Sequence, residues 1–195
     1  VEITAKAREL LDYMLGDNGI EEIINNSTFK AHFLANKSNG FVSSENKLIQ
    51  ILGLIKSIGL NRIDRRLIRN QYERFVFQSP SSKLKIDDYC KFKTHHINLT
   101  KDNLKDALLA SGSIPVVMQG IRDIAGSRNG VYRDGGIIDY HFDFKLQNSD
   151  GLILYPHFNS EPKAGWFDKN LKRKVQSSHY QNVVRRVPSN KFISS

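Results

Sequence analysis

The sequence predicts an α/β domain in which helices and strands alternate along 195 residues. Two observations carry that prediction: some segments repeat apolar residues at helical spacing, and short runs rich in β-branched and aromatic residues lie between them. A third is the composition, 39% hydrophobic and 25% charged, which is ordinary for a globular protein. A chain of this length can bury a core without disulfides or a structural metal.

The first half of the chain predicts four helices and two strands. A helix over 4–15 carries its apolar residues on one face and stops at Gly16. Ser43 or Ser44 can cap a longer helix with an apolar stripe, and Gly59 closes that helix. The remaining elements are a short helix at 20–25, a strand at 29–34, a basic helix at 64–72 and a strand at 74–78.

The second half predicts three extended segments and two helices. Residues 92–99 are extended, and Thr100 caps a helix over 101–110. Gly112 and Pro115 end this helix, because neither residue continues helical hydrogen bonding well. The other elements are strands at 130–133 and 151–155 and a basic helix near 170–177.

Charge is distributed unevenly along the chain. The 29 basic and 20 acidic side chains give a net charge of +9, but residues 1–30 carry −3 and residues 163–191 carry +7. This basic end, including a basic tail at 175–195, attracts phosphate on anionic lipid or on nucleic acid. Nucleic acid is the less favoured partner, because no zinc-finger spacing, RNP-type strand or Gly-x-x-Gly clamp accompanies the charge. A solvated basic surface without a partner is the plainer alternative.

Cysteine content and hydropathy bear on location. Cys90 is the single cysteine, which excludes an internal disulfide framework and favours a reducing compartment. The most apolar stretch, 48–60, is too short to span a bilayer and is interrupted by Lys56. We therefore expect a cytoplasmic or membrane-peripheral protein.

The candidate functional group lies in Arg133-Asp134-Gly135-Gly136. Asp134 follows a predicted strand, and reactive groups collect at the carboxyl ends of strands in α/β sheets. Gly135 and Gly136 are expected to allow a sharp turn with positive φ. Asp-Gly is also among the commonest turn dipeptides, so a plain turn is the alternative to a catalytic carboxylate.

Four stretches, in order along the chain, together resemble a known family. They are ALLASGSIP at 107–115, GVYRDGGIIDYH at 130–141, DGLILYPHF at 150–158 and GWFDK at 165–169. In this order they resemble the second half of the patatin-like phospholipase domain, most closely a bacterial branch of that family. The resemblance is specific over residues 74–174 and looser before them.

The resemblance implies both a fold and a reaction. The implied fold is a three-layer patatin-like sheet with flanking helices, and the implied reaction is acyl transfer from a lipid ester or phospholipid to a serine, followed by hydrolysis. Such enzymes use a Ser–Asp dyad without histidine, metal or cofactor, and Asp134 matches the dyad aspartate. Gly135 and Gly136 complete its motif, while Asp139 and His141 are expected to support the site. An anionic membrane surface is an implied partner.

Two parts of the family's site have no counterpart in this sequence. The Gly-x-Ser-x-Gly motif that carries the nucleophile is absent, as is the glycine-rich loop of the oxyanion hole. Ser57, Ser111 and Ser113 lie near glycines at the wrong spacing or in the wrong segment. We therefore expect residues 1–195 to be one unit, the C-terminal portion of a longer domain, with an incomplete sheet and no activity alone. An unpaired sheet edge would favour a homo-oligomer.

Other interpretations stay open beside the hydrolase. The chain is alternatively a non-catalytic basic module that binds anionic lipid or nucleic acid, or Asp134 is only a turn residue. His95, His96 and His157 carry metal-binding nitrogens but lack partners at matching helical spacing, which favours a structural role. Trp166, next to the basic tail, suits either a lipid interface or a buried position.

Overall fold

The computed structural model describes residues 2–147, 151–159, 161–189 and 192, and its fold is mixed α/β. The strands are β1 (His32–Ser38), β2 (Tyr72–Gln78), β3 (Lys85–Asp87), β4 (Thr94–Asn98), β5 (Ile121–Arg122), β6 (Val131–Asp134), β7 (Lys145–Gln147), β8 (Ile153–Pro156) and β9 (Val183–Arg186). The α-helices are α1 (Glu2–Leu15), α2 (Gly19–Asn25), α3 (Lys47–Ile63), α4 (Leu104–Ser111) and α5 (Gly136–Asp139). Short 3₁₀ helices lie at Gly40–Ser43, Arg65–Asn70, Trp166–Asp168 and Ser177–Tyr180.

A five-stranded mixed sheet organises the fold, with the strand order β4-β2-β1-β6-β5. The central strand β1 runs antiparallel to both β2 and β6, whereas β2 and β4 are parallel. Two separate pairs, β3 with β7 and β8 with β9, lie outside this sheet. Strand β6, which ends in Asp134, therefore lies beside the centre of the sheet.

The two faces of the sheet carry different apolar clusters. One cluster packs Phe75 and Phe77 of β2 against α4, and apolar residues of α1 and α2 cover it. The other cluster contains Tyr72 of β2 together with residues of α3, α5 and the segment around Phe167. Side chains alternate along a strand, so Tyr72 lies on the face opposite to Phe75 and Phe77.

Most of the predicted elements are confirmed with shifted ends, but three details of the first half were wrong. Helix α3 begins after Asn46, whose side chain accepts two backbone N–H groups, so neither Ser43 nor Ser44 is the cap. The helix also continues past Gly59 to its last residue, Ile63. The basic helix expected at 64–72 is a 3₁₀ helix that gives way to β2.

The helix expected near 170–177 was also wrong, since residues 169–176 form turns and irregular backbone. Tertiary contacts use the groups that a helix would need: Leu171 O accepts from Lys163 Nζ at 2.9 Å, and Gln176 N donates to Asp143 Oδ1 at 2.8 Å. Intrinsic propensity is a weak preference that such contacts override.

Part of the sequence discussed above falls outside the described residues, namely Asp150 of the third quoted stretch and residues 190–191 and 193–195 of the basic tail. Within the described ranges, no helix combines the length and the apolar character that crossing a bilayer requires. Cys90 is buried and forms no disulfide.

Candidate functional site

Asp134 is the last residue of β6, and its backbone is held from two directions. In the sheet, Asp134 pairs with Ala35 of β1. Its N–H donates to Ser113 O at 3.2 Å. The buried amide of Asn36 donates to Asp134 O at 2.9 Å and to Gly135 O at 3.0 Å. The side chain of Asp134 therefore projects from a fixed point at the end of the strand.

The two glycines after Asp134 serve a different purpose from the one expected. Neither Gly135 nor Gly136 has positive φ, and Gly135 has helical angles, φ −58° and ψ −30°. A Cβ atom on Gly135 would lie 2.3 Å from Leu34 O, and one on Gly136 would lie 3.0 Å from Asp134 Oδ1. Close approach to β1 and to the carboxylate, rather than backbone angle, explains the glycines.

The carboxylate of Asp134 keeps one oxygen available. Its Oδ1 accepts the Gly136 N–H at 2.7 Å, while Oδ2 accepts no hydrogen bond from the residues described here. Burial raises the pKa of Asp134 above its usual value, against the smaller lowering effects of the Gly136 N–H and the Lys169 ammonium. A half-buried carboxylate with a raised pKa and a free oxygen is a better proton acceptor than an ordinary surface aspartate.

Lys169 and Tyr140 lie near the turn that follows Asp134, although the sequence did not single them out. The Lys169 ammonium lies 4.1 Å from the centre of the Tyr140 ring and 5.9 Å from that of Trp166. Lys169 could have been picked out from the sequence, because it is the last residue of the GWFDK stretch. Asn36 could have been picked out as well, because it is an amide residue within the apolar run of β1.

Asp139 lies on the same short segment but is fully engaged elsewhere. Its two oxygens accept from Nε and Nη2 of Arg74, both at 2.7 Å, in a buried bidentate pair. Arg74 Nη1 also lies 3.0 Å from Asp88 Oδ2. Asp139 therefore ties α5 to β2, and no hydrogen bond joins it to Asp134 among the described residues.

His141 is buried and does not contact Asp134 through any hydrogen bond of the described residues. Its Nδ1 accepts the Lys163 N–H at 2.6 Å, and its ring centre lies 4.0 Å from that of His157. Burial lowers the pKa of His141 to about 4, with the neighbouring charges of His157, Lys169 and Lys163 acting in the same direction. A neutral ring at this position braces the loop that carries Lys163.

The three serines considered as nucleophiles in the sequence all have their hydroxyl groups in hydrogen bonds within the chain. Ser111 Oγ donates to Leu108 O and Ser113 Oγ to Leu109 O, both at 2.7 Å. Ser57 Oγ donates to a helix carbonyl and contacts the Tyr72 hydroxyl. In the part of the chain that the structure covers, no serine hydroxyl is hydrogen-bonded to Asp134.

The histidines on β4 bind side chains of the neighbouring strand. His95 Nε2 lies 2.9 Å from Glu73 Oε2, and its ring stacks on Phe75 at 4.5 Å. His96 Nδ1 lies 2.8 Å from Gln78 Oε1. Over the described ranges, no three His, Cys, Asp or Glu side chains are grouped as metal ligands.

A pocket of about 340 Å³ lies beside this site. Its lining is mostly apolar and aromatic and includes Leu34, Val76, Tyr140 and Phe142. The Leu34 carbonyl lies against Gly135 and the Tyr140 ring lies near Gly136, so the pocket adjoins the two glycines that follow Asp134, while Asp134 itself does not line it. Its size and lining are those of small ligand sites in proteins.

Comparison with known proteins yields no family model, no curated protein and no solved structure that matches this chain. The family resemblance therefore depends on the quoted motifs alone.

Proposed function

We propose that this chain carries the catalytic base of a patatin-like serine acyl hydrolase acting on lipid esters. The nucleophilic serine and the oxyanion loop come, in this proposal, from outside these 195 residues. The observation that carries it is the Asp134 carboxylate, which has a raised pKa, a free Oδ2 and a fixed position at a strand end. The ordered motifs at 107–169 support the same assignment.

The proposed reaction gives Asp134 a defined role. As the serine Oγ attacks the ester carbonyl carbon, its proton passes to Asp134 Oδ2 and an Oγ–C bond forms. The carboxyl group then returns this proton to the alcohol oxygen as the ester C–O bond breaks. In the second half, water attacks the acyl-enzyme and Asp134 accepts and returns a proton in the same way. Oxyanion-hole donors stabilise most of the developing charge.

The pocket beside Tyr140 suits the acyl group of such a substrate. Its walls are mostly apolar, its volume is about 340 Å³ and it adjoins the two glycines that follow Asp134. An apolar chain in this pocket would orient the ester carbonyl near the base and exclude water from it. We assign the alcohol part of the lipid, whose chemistry the site does not select, to the solvent side.

A non-catalytic module that binds anionic lipid or nucleic acid is the second candidate. The exposed cations Lys172, Lys174 and Arg186 favour it. Against it, other cations of the same segment are engaged: Lys163 Nζ donates to Leu171 O and Arg173 Nη1 to Asp168 Oδ1. Salt-dependent binding without any ester hydrolysis would favour this candidate.

The decisive experiment compares Asp134→Asn with Asp106→Asn in the complete product of the gene. Asp106 is the control, because it pairs with Arg8 at the surface of α4. Hydrolysis of a p-nitrophenyl ester and of phospholipid vesicles is expected to fall about 10²–10⁴-fold in Asp134→Asn and to be unchanged in Asp106→Asn. Circular dichroism should show the same fold in both variants.

A fluorophosphonate probe tests the missing nucleophile separately. We expect it to label a serine of the complete product and none of the 195 residues described by this sequence. Unchanged hydrolysis in Asp134→Asn would contradict the proposed base. Ester hydrolysis by the 195-residue chain alone would contradict an external serine.

A further inference from the structure

Helix α3 differs from an ordinary surface helix, since several of its uncharged polar residues face inward and most of its large apolar residues face outward. Gln50, Ser57 and Asn61 are buried, and each is anchored by a hydrogen bond to a distant part of the chain. Gln50 Oε1 accepts the N–H of Val116 at 2.6 Å, and Asn61 Nδ2 donates to Asp168 Oδ1 at 2.8 Å. These bonds fix which side of α3 faces outward.

The outward side of α3 is apolar, and we call it the α3 outer face. Its large side chains and their exposed fractions are Leu48 74%, Ile51 39%, Leu52 61%, Ile55 58%, Ile58 47% and Ile63 77%. Leu48, Leu52 and Ile55 follow one another at four- and three-residue spacing and form a continuous stripe. A contiguous exposed apolar surface of this kind marks an interaction site rather than scattered surface hydrophobics.

Positive charge accompanies this face. Lys47, Lys56 and Arg62 are exposed on α3, and the helix contains no Asp or Glu. By contrast α1, which also exposes apolar residues such as Leu10 and Met14, carries three acidic and two basic side chains. An apolar stripe between cations suits a surface that is apolar within and anionic at its rim.

The α3 outer face continues into the segment that borders Asp134. A pocket of about 400 Å³ connects Ile58 and Arg62 of α3 with Trp166 and Lys169. Trp166 is 40% exposed, and Lys169 is the cation that acts on the Asp134 carboxylate. An indole with a neighbouring ammonium is the usual composition of a bilayer interface.

We propose that the α3 outer face docks on an anionic lipid bilayer. Leu48, Leu52 and Ile55 enter the boundary of the acyl region, while Lys56 and Arg62 contact lipid phosphates. As the surface through which a hydrolase reaches its lipid, this inference rests on the proposed function. As a membrane-binding surface it is tested without any hydrolysis.

Vesicle sedimentation with single-residue variants tests the proposal. The chain is expected to bind vesicles of phosphatidylcholine with phosphatidylglycerol about tenfold or more tightly than vesicles of phosphatidylcholine alone. Leu52→Glu should weaken this binding about tenfold or more, because a charge replaces an inserted side chain. Leu10→Glu, a leucine of similar exposure on α1, is the matched control and should bind as the wild type does.

Two further variants separate this face from the basic tail and from catalysis. Lys56→Glu should weaken binding about tenfold or more, whereas Lys174→Glu should change it little. Asp134→Asn should bind vesicles as the wild type does, so a failed hydrolase assignment would leave this result intact. Brominated lipids should quench Trp166, the single tryptophan, in the wild type and not in Leu52→Glu.

Three outcomes would overturn the proposal. The first is unchanged vesicle binding by Leu52→Glu. The second is loss of binding by Lys174→Glu instead of Lys56→Glu, which would assign docking to the tail. The third is light scattering that shows a dimer for the wild type and a monomer for Leu52→Glu without vesicles, because the face would then be covered by a second copy.

Discussion

The carboxylates of Asp134 and Asp139, five positions apart in the chain, have opposite surroundings. In the Asp134 turn, residues 134–136, one carboxylate oxygen accepts no hydrogen bond from any described residue, and burial raises the pKa of Asp134. The Arg74 cluster (Arg74, Asp88 and Asp139) encloses two carboxylates around one guanidinium. There burial alone would lower the pKa of Arg74, but the two carboxylates outweigh it and hold that pKa above its usual value.

This difference in surroundings shows which of the two carboxylates is already bound by a neighbouring side chain. Asp139 is only five positions after Asp134, yet all its acceptor capacity is directed to an internal cation. An aspartate whose two oxygens are bound by a buried arginine contributes to the arrangement of β2 and α5. Among the described residues, Asp134 is the one of these two carboxylates with an oxygen that accepts no hydrogen bond.

The largest expected effect comes from removing the cation of the Arg74 cluster. Arg74→Met leaves Asp88 and Asp139 buried without a counter-charge, and we expect the free energy of unfolding to fall by about 3–5 kcal/mol. Urea denaturation followed by circular dichroism measures this loss. Arg66→Met is the control, because its ion pair with Asp64 is exposed and should contribute little to stability. Equal losses in the two variants would contradict the contrast.

The second effect concerns how tightly the Asp134 turn is packed. Gly135→Ala would bring a Cβ atom to 2.3 Å from Leu34 O, so backbone must shift, and we expect a loss of about 1–3 kcal/mol. Gly59→Ala meets nothing within 4 Å and should instead add about 0.5–1 kcal/mol through higher helix propensity. Stability changes of opposite sign for the two variants, measured by thermal or urea unfolding, would support the close approach of Gly135 to Leu34. A Gly135→Ala variant as stable as the wild type would exclude it.

The smallest effect is a pH dependence at Asp134 itself. Burial raises the pKa of Asp134 in the folded state above its ordinary value of 3.8. Between 3.8 and that higher pKa, the native state binds more protons than the unfolded state, so stability falls as the pH rises through this range. Asp134→Asn removes the cost of the ionised group. The variant should therefore be slightly more stable than the wild type at about pH 7, with the advantage gone at about pH 3. A variant that is less stable than the wild type at neutral pH would contradict the claim that burial destabilises the ionised carboxylate of Asp134.

The helices and strands could be predicted from the sequence wherever a local pattern of residues determines them. Strand β2 and helix α1 carry apolar periodicity within their own residues, so they were predicted close to their observed ends. The cap of α4 was predicted wrongly, because the helix begins at Leu104 after Asn103 and not after Thr100. Strand β6 and the position of Asp134 at its end followed in the same way. The helix expected near 170–177 failed because contacts with Lys163 and Asp143 decide that segment.

The site was readable only in part, for the same physical reason. The Asp-Gly-Gly motif pointed to Asp134, but the need for Gly135 comes from Leu34, which is remote in the sequence. The apolar stripe of α3 was visible, whereas the side that it faces is set by hydrogen bonds of Gln50 and Asn61 to distant partners. Sequence patterns show which residues share a face and not what that face meets.

The amide of Asn36 fastens the central strand to the carbonyls of Asp134 and Gly135. This fastening gives the backbone around Asp134 no local hinge, so it opens only when the middle of the sheet separates. Amide exchange at Asp134 and unfolding of the five-stranded sheet should thus share one temperature. For this protein, the heat tolerance of the Asp134 turn and that of the sheet become the same quantity.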